Sequence, residues 1–68
     1  MILGLDVSTS ITGATIVDAS GEVVYNESWD TRKYKNFFEK AEYVEERIRQ
    51  LCGDGFRVER VYIEQSLQ

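Results

Sequence analysis

The feature that bears hardest on how this chain can fold is a change in the period of its apolar residues. Residues 2–7 (ILGLDV) alternate, with Leu3, Leu5 and Val7 on one face and Ile2, Gly4 and Asp6 on the other. Apolar side chains on both faces are the pattern of an inner strand. Residues 12–17 (TGATIV) form a second strand rich in β-branched residues, and the run Asp18, Ala19, Ser20, Gly21 carries hairpin-turn chemistry ahead of a third strand at 22–29 (EVVYNESW). The period then lengthens. From about residue 32 to 52, Tyr34, Phe37, Phe38, Ala41, Val44, Ile48 and Leu51 recur every three or four positions and place one apolar stripe on a helix. Asp30 or Thr31 is the expected cap of its start, and Gly53 followed by Asp54 and Gly55 the expected stop. Alternation returns at 58–64 (VERVYIE), with Val61 and Ile63 set against Arg60, Tyr62 and Glu64.

The order is therefore β-β-β-α-β, an α/β chain. A helix between the third and fourth strands makes a right-handed crossover and lays the fourth strand parallel to its neighbour. With that strand beside the first, the sheet is mixed and four-stranded in the order 3-2-1-4, and the single helix covers one face. Sixty-eight residues allow one domain, spanning 1–68, with a modest core and marginal expected stability.

Composition narrows the chemistry. Cys52 is the only cysteine and there is no histidine, so an internal disulfide and a zinc site of the Cys/His type are excluded. Any metal must be held by oxygen. The apolar N-terminal run is interrupted by Asp6 and has no basic start, which argues against a signal peptide, and no segment is long and apolar enough to span a membrane. The expectation is a soluble, cytoplasmic protein. A net charge of -4 counts against an autonomous grip on phosphate backbones. It leaves room for a site in which divalent cations invert the local electrostatics.

Two carboxylates stand out by position. Asp6 lies near the end of an inner strand, where an unpaired carboxylate is costly, and Glu64 lies at the end of the fourth strand. If those strands pair, both acids lie toward the C-terminal ends of adjacent parallel strands, roughly 5 Å apart, close enough to share a hard cation such as Mg²⁺. The structural alternatives are an Asp6 that caps the turn amides of Ser8 to Ser10 and a Glu64 that is a solvated edge residue. The remaining acids read otherwise: Asp18 belongs to the hairpin turn, Asp30 to the helix start, and Glu39, Glu42, Glu45 and Glu46 to a solvated helix face. Tyr34, Phe37 and Phe38 at helical spacing are expected in the core, as are Tyr25 and Trp29. Cys52 is expected to be a buried small hydrophobe.

In this context the stretch DVSTSITG at 6–13 resembles the D-x-G-S-x-x-T-G opening of RuvC-like Holliday junction resolvases, and YIEQ at 62–65 resembles the A-I-E-Q segment that ends their fourth strand. The interval between the segments is similar, with one amphipathic helix inside it. The resemblance spans the whole chain and about the first half of such an enzyme. It implies a truncated ribonuclease H-like fold and a metal-dependent endonuclease that cuts branched or duplex DNA with two Mg²⁺ or Mn²⁺ ions. By the same resemblance Asp6 bridges both ions and Glu64 binds one. Ser8, Thr9, Ser10, Thr12, Gly13 and Gln65 are then the candidates for supporting or substrate contacts. Ser8 stands where the family has glycine, and the two acidic residues that the family places on a late helix have no counterpart in these residues. The chain is accordingly expected to be incomplete and inactive alone.

Two other classes fit parts of the pattern. The first-strand motif is also similar to the phosphate loop of the sugar kinase, Hsp70 and actin superfamily, and the run VDASGEV at 17–23 resembles the start of a sugar kinase. That reading accounts for neither Glu64 nor the early helix. The third class is a small non-catalytic α/β dimerisation module. A sheet covered on one face leaves the other face and the fourth-strand edge exposed, so a homodimer or looser self-association is expected.

Overall fold

In the computed structural model, residues 1–65 are described. The elements run β1 (Ile2–Val7), β2 (Ile11–Val17), β3 (Val23–Asp30), α1 (Phe37–Gly53) and β4 (Arg60–Gln65). The sheet has the order β3-β2-β1-β4, with β1 and β2 antiparallel, β2 and β3 antiparallel, and β1 and β4 parallel. This is the α/β architecture and strand order that the change of period implies.

Local chemistry explains each connection. At the β2–β3 turn, the Asp18 carboxylate accepts from the Ser20 and Glu22 amides and from the Ser20 hydroxyl at 2.7–3.0 Å, and Gly21 takes φ +87. A side-chain cap of this kind lets aspartate substitute for backbone partners, while glycine supplies the left-handed conformation. The β1–β2 turn is closed by Ser8, whose hydroxyl donates to the Ile11 carbonyl at 2.7 Å and accepts from the Ile11 amide at 3.1 Å. Past the helix, Gly55 at φ +104 redirects the chain, and the Met1 ammonium donates to the Arg57 carbonyl at 2.9 Å while the Glu59 amide donates to Met1. These bonds bring β4 alongside β1.

The core forms on one face of the sheet. Leu3 and Leu5 from β1, Ala14 and Ile16 from β2, Trp29 from β3 and Leu51 from α1 are buried together, with Tyr25, Tyr43, Val44 and Ile48 packed against them. Tyr25 and Trp29 thus join the core as their alternation implies. Each fully buried large apolar side chain contributes on the order of 1.5–3 kcal/mol, so this short list is most of what holds the domain.

The helix differs from expectation at its start. It begins at Phe37 instead of about residue 32, and its cap is Asn36, whose side chain accepts from the Glu39 amide at 2.9 Å. Asp30 and Thr31 are used elsewhere: Asp30 clasps the Arg32 backbone and guanidinium, and buried Thr31 donates from both its amide and its hydroxyl to the Ser10 carbonyl. The later start leaves Phe37 and Phe38 in the first turn, where they are 78% and 77% exposed and not in the core. Their rings contact each other edge to face instead. Tyr34 keeps its contact with the helix by stacking on Tyr43 from outside it, at 5.1 Å between ring centroids. Cys52 is exposed, because the buried position at that end of the stripe is Leu51 and the next residue faces away.

Candidate functional site

The face of the sheet opposite the helix carries the candidate site. Asp6 and Glu64 are register partners across the parallel β1–β4 pair. Register partners project to the same face, and both acids line one shallow groove together with Gly4, Gly13, Asn26 and Tyr62. The pairing follows from chain direction: one crossover through α1 returns β4 parallel to β1, and the Met1 contacts with Arg57 and Glu59 fix how far β4 slides along it.

The floor of the groove is low because glycines flank Asp6. Gly13 is the antiparallel partner of Asp6, and a side-chain methyl at that position would lie 3.7 Å from the Asp6 Cβ. Gly4 occupies the same face two residues before Asp6. Both positions therefore keep backbone exposed beside the carboxylates, the arrangement that lets a ligand approach closely. On the far side of the floor, the Thr15 hydroxyl donates to the Asn26 Oδ1 at 3.0 Å and holds that amide in place.

The other candidates separate into two groups. Gly13 shares the groove with Asp6 and Glu64. Thr12 does not: it points to the helix side and is 1% exposed, between its register partners Val7 and Trp29. Gln65 is the partner of Val7, on the helix-side alternation of β4 and thus across the sheet from Glu64. Ser8 and Ser10 belong to the turn, Ser8 through its bonds with Ile11 and Ser10 as the acceptor of both Thr31 donors. Thr9 offers its carbonyl to the Lys40 ammonium at 2.6 Å, which ties the turn to the helix. The run of hydroxyl residues after Asp6 thus builds and anchors the hairpin.

A second concavity lies between β3 and α1, lined by Trp29, Asp30, Arg32, Lys33, Tyr43 and Arg47. Its arginines are held by acceptors around them, although among the described residues the buried Arg47 Nε has no hydrogen-bond partner. Arg32 forms a fork with Asp30 that, with the Arg32 amide, lowers the Asp30 carboxyl to about 2. Arg47 spreads its guanidinium over Trp29 at 5.3 Å and reaches Gln50, Tyr25 and Glu27. Arg47 was not marked by the apolar pattern, since an arginine that buries its stem under the sheet reads in the sequence like any solvated helix residue. This concavity has the polar content of a structural brace, whereas the open-face groove holds two adjacent carboxylates. Among the described residues no group of three or more His, Cys, Asp or Glu is placed to hold a metal ion, and no helix is long and apolar enough to cross a membrane. No protein-family model matches this sequence, and no curated protein is significantly similar to it.

Proposed function

We propose that this chain supplies part of the active site of a RuvC-like, divalent-metal-dependent DNA endonuclease acting in the cytoplasm, with Asp6 and Glu64 as ligands of Mg²⁺ or Mn²⁺. The observation that carries the reading is the register pairing of Asp6 with Glu64 on one open face. Two oxygen donors on neighbouring strands fit one hard cation, since Mg²⁺ commonly takes one or two carboxylates and keeps water in its other positions. The donor set suits no softer metal, because neither histidine nor cysteine lies in the groove. Asp6 and Glu64 would hold the ion, and its Lewis acidity would be what such a site supplies for activating water and stabilising the leaving oxygen of a phosphodiester.

The chain's own residues do the positioning. Asp6 is held on a strand paired on both sides, which limits its movement, and Gly4 and Gly13 leave room for a nucleic-acid backbone beside it. A duplex or branched DNA approaching a protein of net charge -4 would meet repulsion that bound cations relieve. Two carboxylates are fewer than a two-ion site needs, so cleavage depends on further acidic residues beyond this pair.

Mn²⁺ titration monitored by amide NMR tests the reading without requiring cleavage. Paramagnetic broadening is expected first at residues 5–7, 13 and 63–65, and is expected to be lost in Asp6→Asn. Broadening confined to the helix acids Glu42, Glu45 and Glu46, or unchanged in the variant, would remove the basis of the proposal.

A further inference from the structure

We propose that the segment 32–38 holds an unpaired stretch of DNA beside the Asp6–Glu64 groove, with Phe37 and Phe38 stacking on bases and Lys33 and Lys35 meeting phosphates. The choice of DNA as the ligand rests on the reading of that groove as a nuclease site. The segment stands apart from the rest of the chain in charge. Four of the eight cationic residues, Arg32, Lys33, Lys35 and Lys40, fall within nine positions, and residues 31–38 contain no acid, whereas the whole chain carries a net charge of -4. Two of the four are engaged, Arg32 by the Asp30 carboxylate and Lys40 by the Thr9 carbonyl. Among the described residues, Lys33 and Lys35 pair with no carboxylate, and both are exposed.

The aromatic side chains identify the ligand. Phe37 and Phe38 are the most exposed large apolar residues described, and their rings meet only edge to face, at 6.2 Å between centroids. Much of each ring is therefore open. A nucleic-acid base offers a flat partner to such a ring whatever its sequence, provided that the base has left its duplex. A further layer of protein over this patch would bury two ammonium groups without counter-charge, which is costly, whereas a phosphate backbone supplies that charge. The place fits the same ligand. Strand β3 ends at Asp30, the register partner of Ile11, so the segment leaves the sheet at the end where Asp6 and Glu64 lie. Thr31 and Lys40 then fasten it to Ser10 and Thr9, in the turn that begins two residues after Asp6. A strand with one phosphate over the acidic pair can continue past that turn to the lysines.

Amide NMR with a short oligothymidylate, in EDTA so that no divalent ion takes part, tests the patch apart from the groove. Shifts are expected to centre on residues 33–38. Phe37→Leu and Phe38→Leu, which stay apolar but lose the ring, are each expected to weaken binding roughly tenfold. Both rings lie outside the core, so neither substitution disturbs the fold. Lys33→Ala and Lys35→Ala are each expected to lower the slope of log affinity against log salt by about 0.7. A blunt duplex of equal length is expected to bind more weakly, and Asp6→Asn to bind the oligothymidylate as wild type does. The two readings fail separately: missing Mn²⁺ broadening at residues 5–7 removes the cation site, while missing oligothymidylate shifts at residues 33–38 remove the patch alone. Leucine variants that bind as wild type does, or a duplex that binds as tightly as the single strand, would overturn the proposal. So would phosphatidylserine vesicles that shift these amides when oligothymidylate does not.

Discussion

Asp30 shows how closely a residue's role depends on its immediate partners. Its carboxylate grips the Arg32 guanidinium at 2.6–3.1 Å and the Arg32 amide at 2.9 Å, so ionised Asp30 is favoured and its pKa falls from 3.8 to about 2. A carboxyl with a depressed native pKa contributes stability that is present above the unfolded value and lost as pH falls through the native one. The contribution is therefore expected to disappear between about pH 3.8 and pH 2. Side-chain carbon NMR titration checks this: Asp30 should titrate near 2 in wild type and return toward the ordinary carboxylate range in Arg32→Ala. Asp18 is lowered in the same direction, chiefly by its bond from the Ser20 hydroxyl and also by the Glu22 amide. Sequence neighbours place both acids at turns or element ends. Asp18 does cap its turn, whereas Asp30 serves an arginine two residues away and leaves the helix to Asn36.

At the scale of elements, α1 shows what periodicity can and cannot locate. The three- and four-residue spacing identifies the helix, and Val44, Ile48 and Leu51 do face the core. The same spacing extends through Phe37 and Phe38, yet these are exposed, because a helical stripe meets a core only along the length of sheet beneath it. The start of the helix was written instead in Asn36 and Glu39, a cap and its third helical residue. Asn36→Ala is expected to cost about 1 kcal/mol in urea denaturation, the usual value for losing such a cap. Asp30→Ala is expected to leave the helix boundary, read from amide and Cα chemical shifts, where it is. Strand β4 is the converse case: its alternation is clear in the sequence, but all six of its residues are exposed, since α1 lies over the β1–β3 part of the sheet.

For the whole molecule, the candidate cation site joins two elements far apart in the chain, since Asp6 lies on β1 and its register partner Glu64 on β4. An ion held by both carboxylates would tie β4 to β1 and favour the folded state over the unfolded one. Millimolar Mg²⁺ is therefore expected to raise the midpoint of thermal unfolding by more than an equal ionic strength of NaCl does. In Asp6→Asn the difference between the two salts is expected to shrink. Equal effects of MgCl₂ and matched NaCl would show that the pair holds no ion.

The order of elements, the class of the sheet and the placing of Asp6 and Glu64 near the ends of β1 and β4 were legible in the sequence, because backbone periodicity and turn chemistry are local properties of neighbouring residues. The pairing of β4 with β1, and hence the meeting of Asp6 with Glu64, stood in the sequence only as a consequence of the crossover. The register that makes them partners was decided by the tertiary structure, through the bonds that tie Met1 to Arg57 and Glu59. Alternation already set Gly13 and Thr12 on opposite faces of β2, and tertiary structure decided which face is covered, leaving the first in the groove and sending the second into the core. The physical reason is the same in each case. Which face of a strand is covered, and how far it slides against its neighbour, are settled by contacts between residues distant in the chain, where local pattern carries no information.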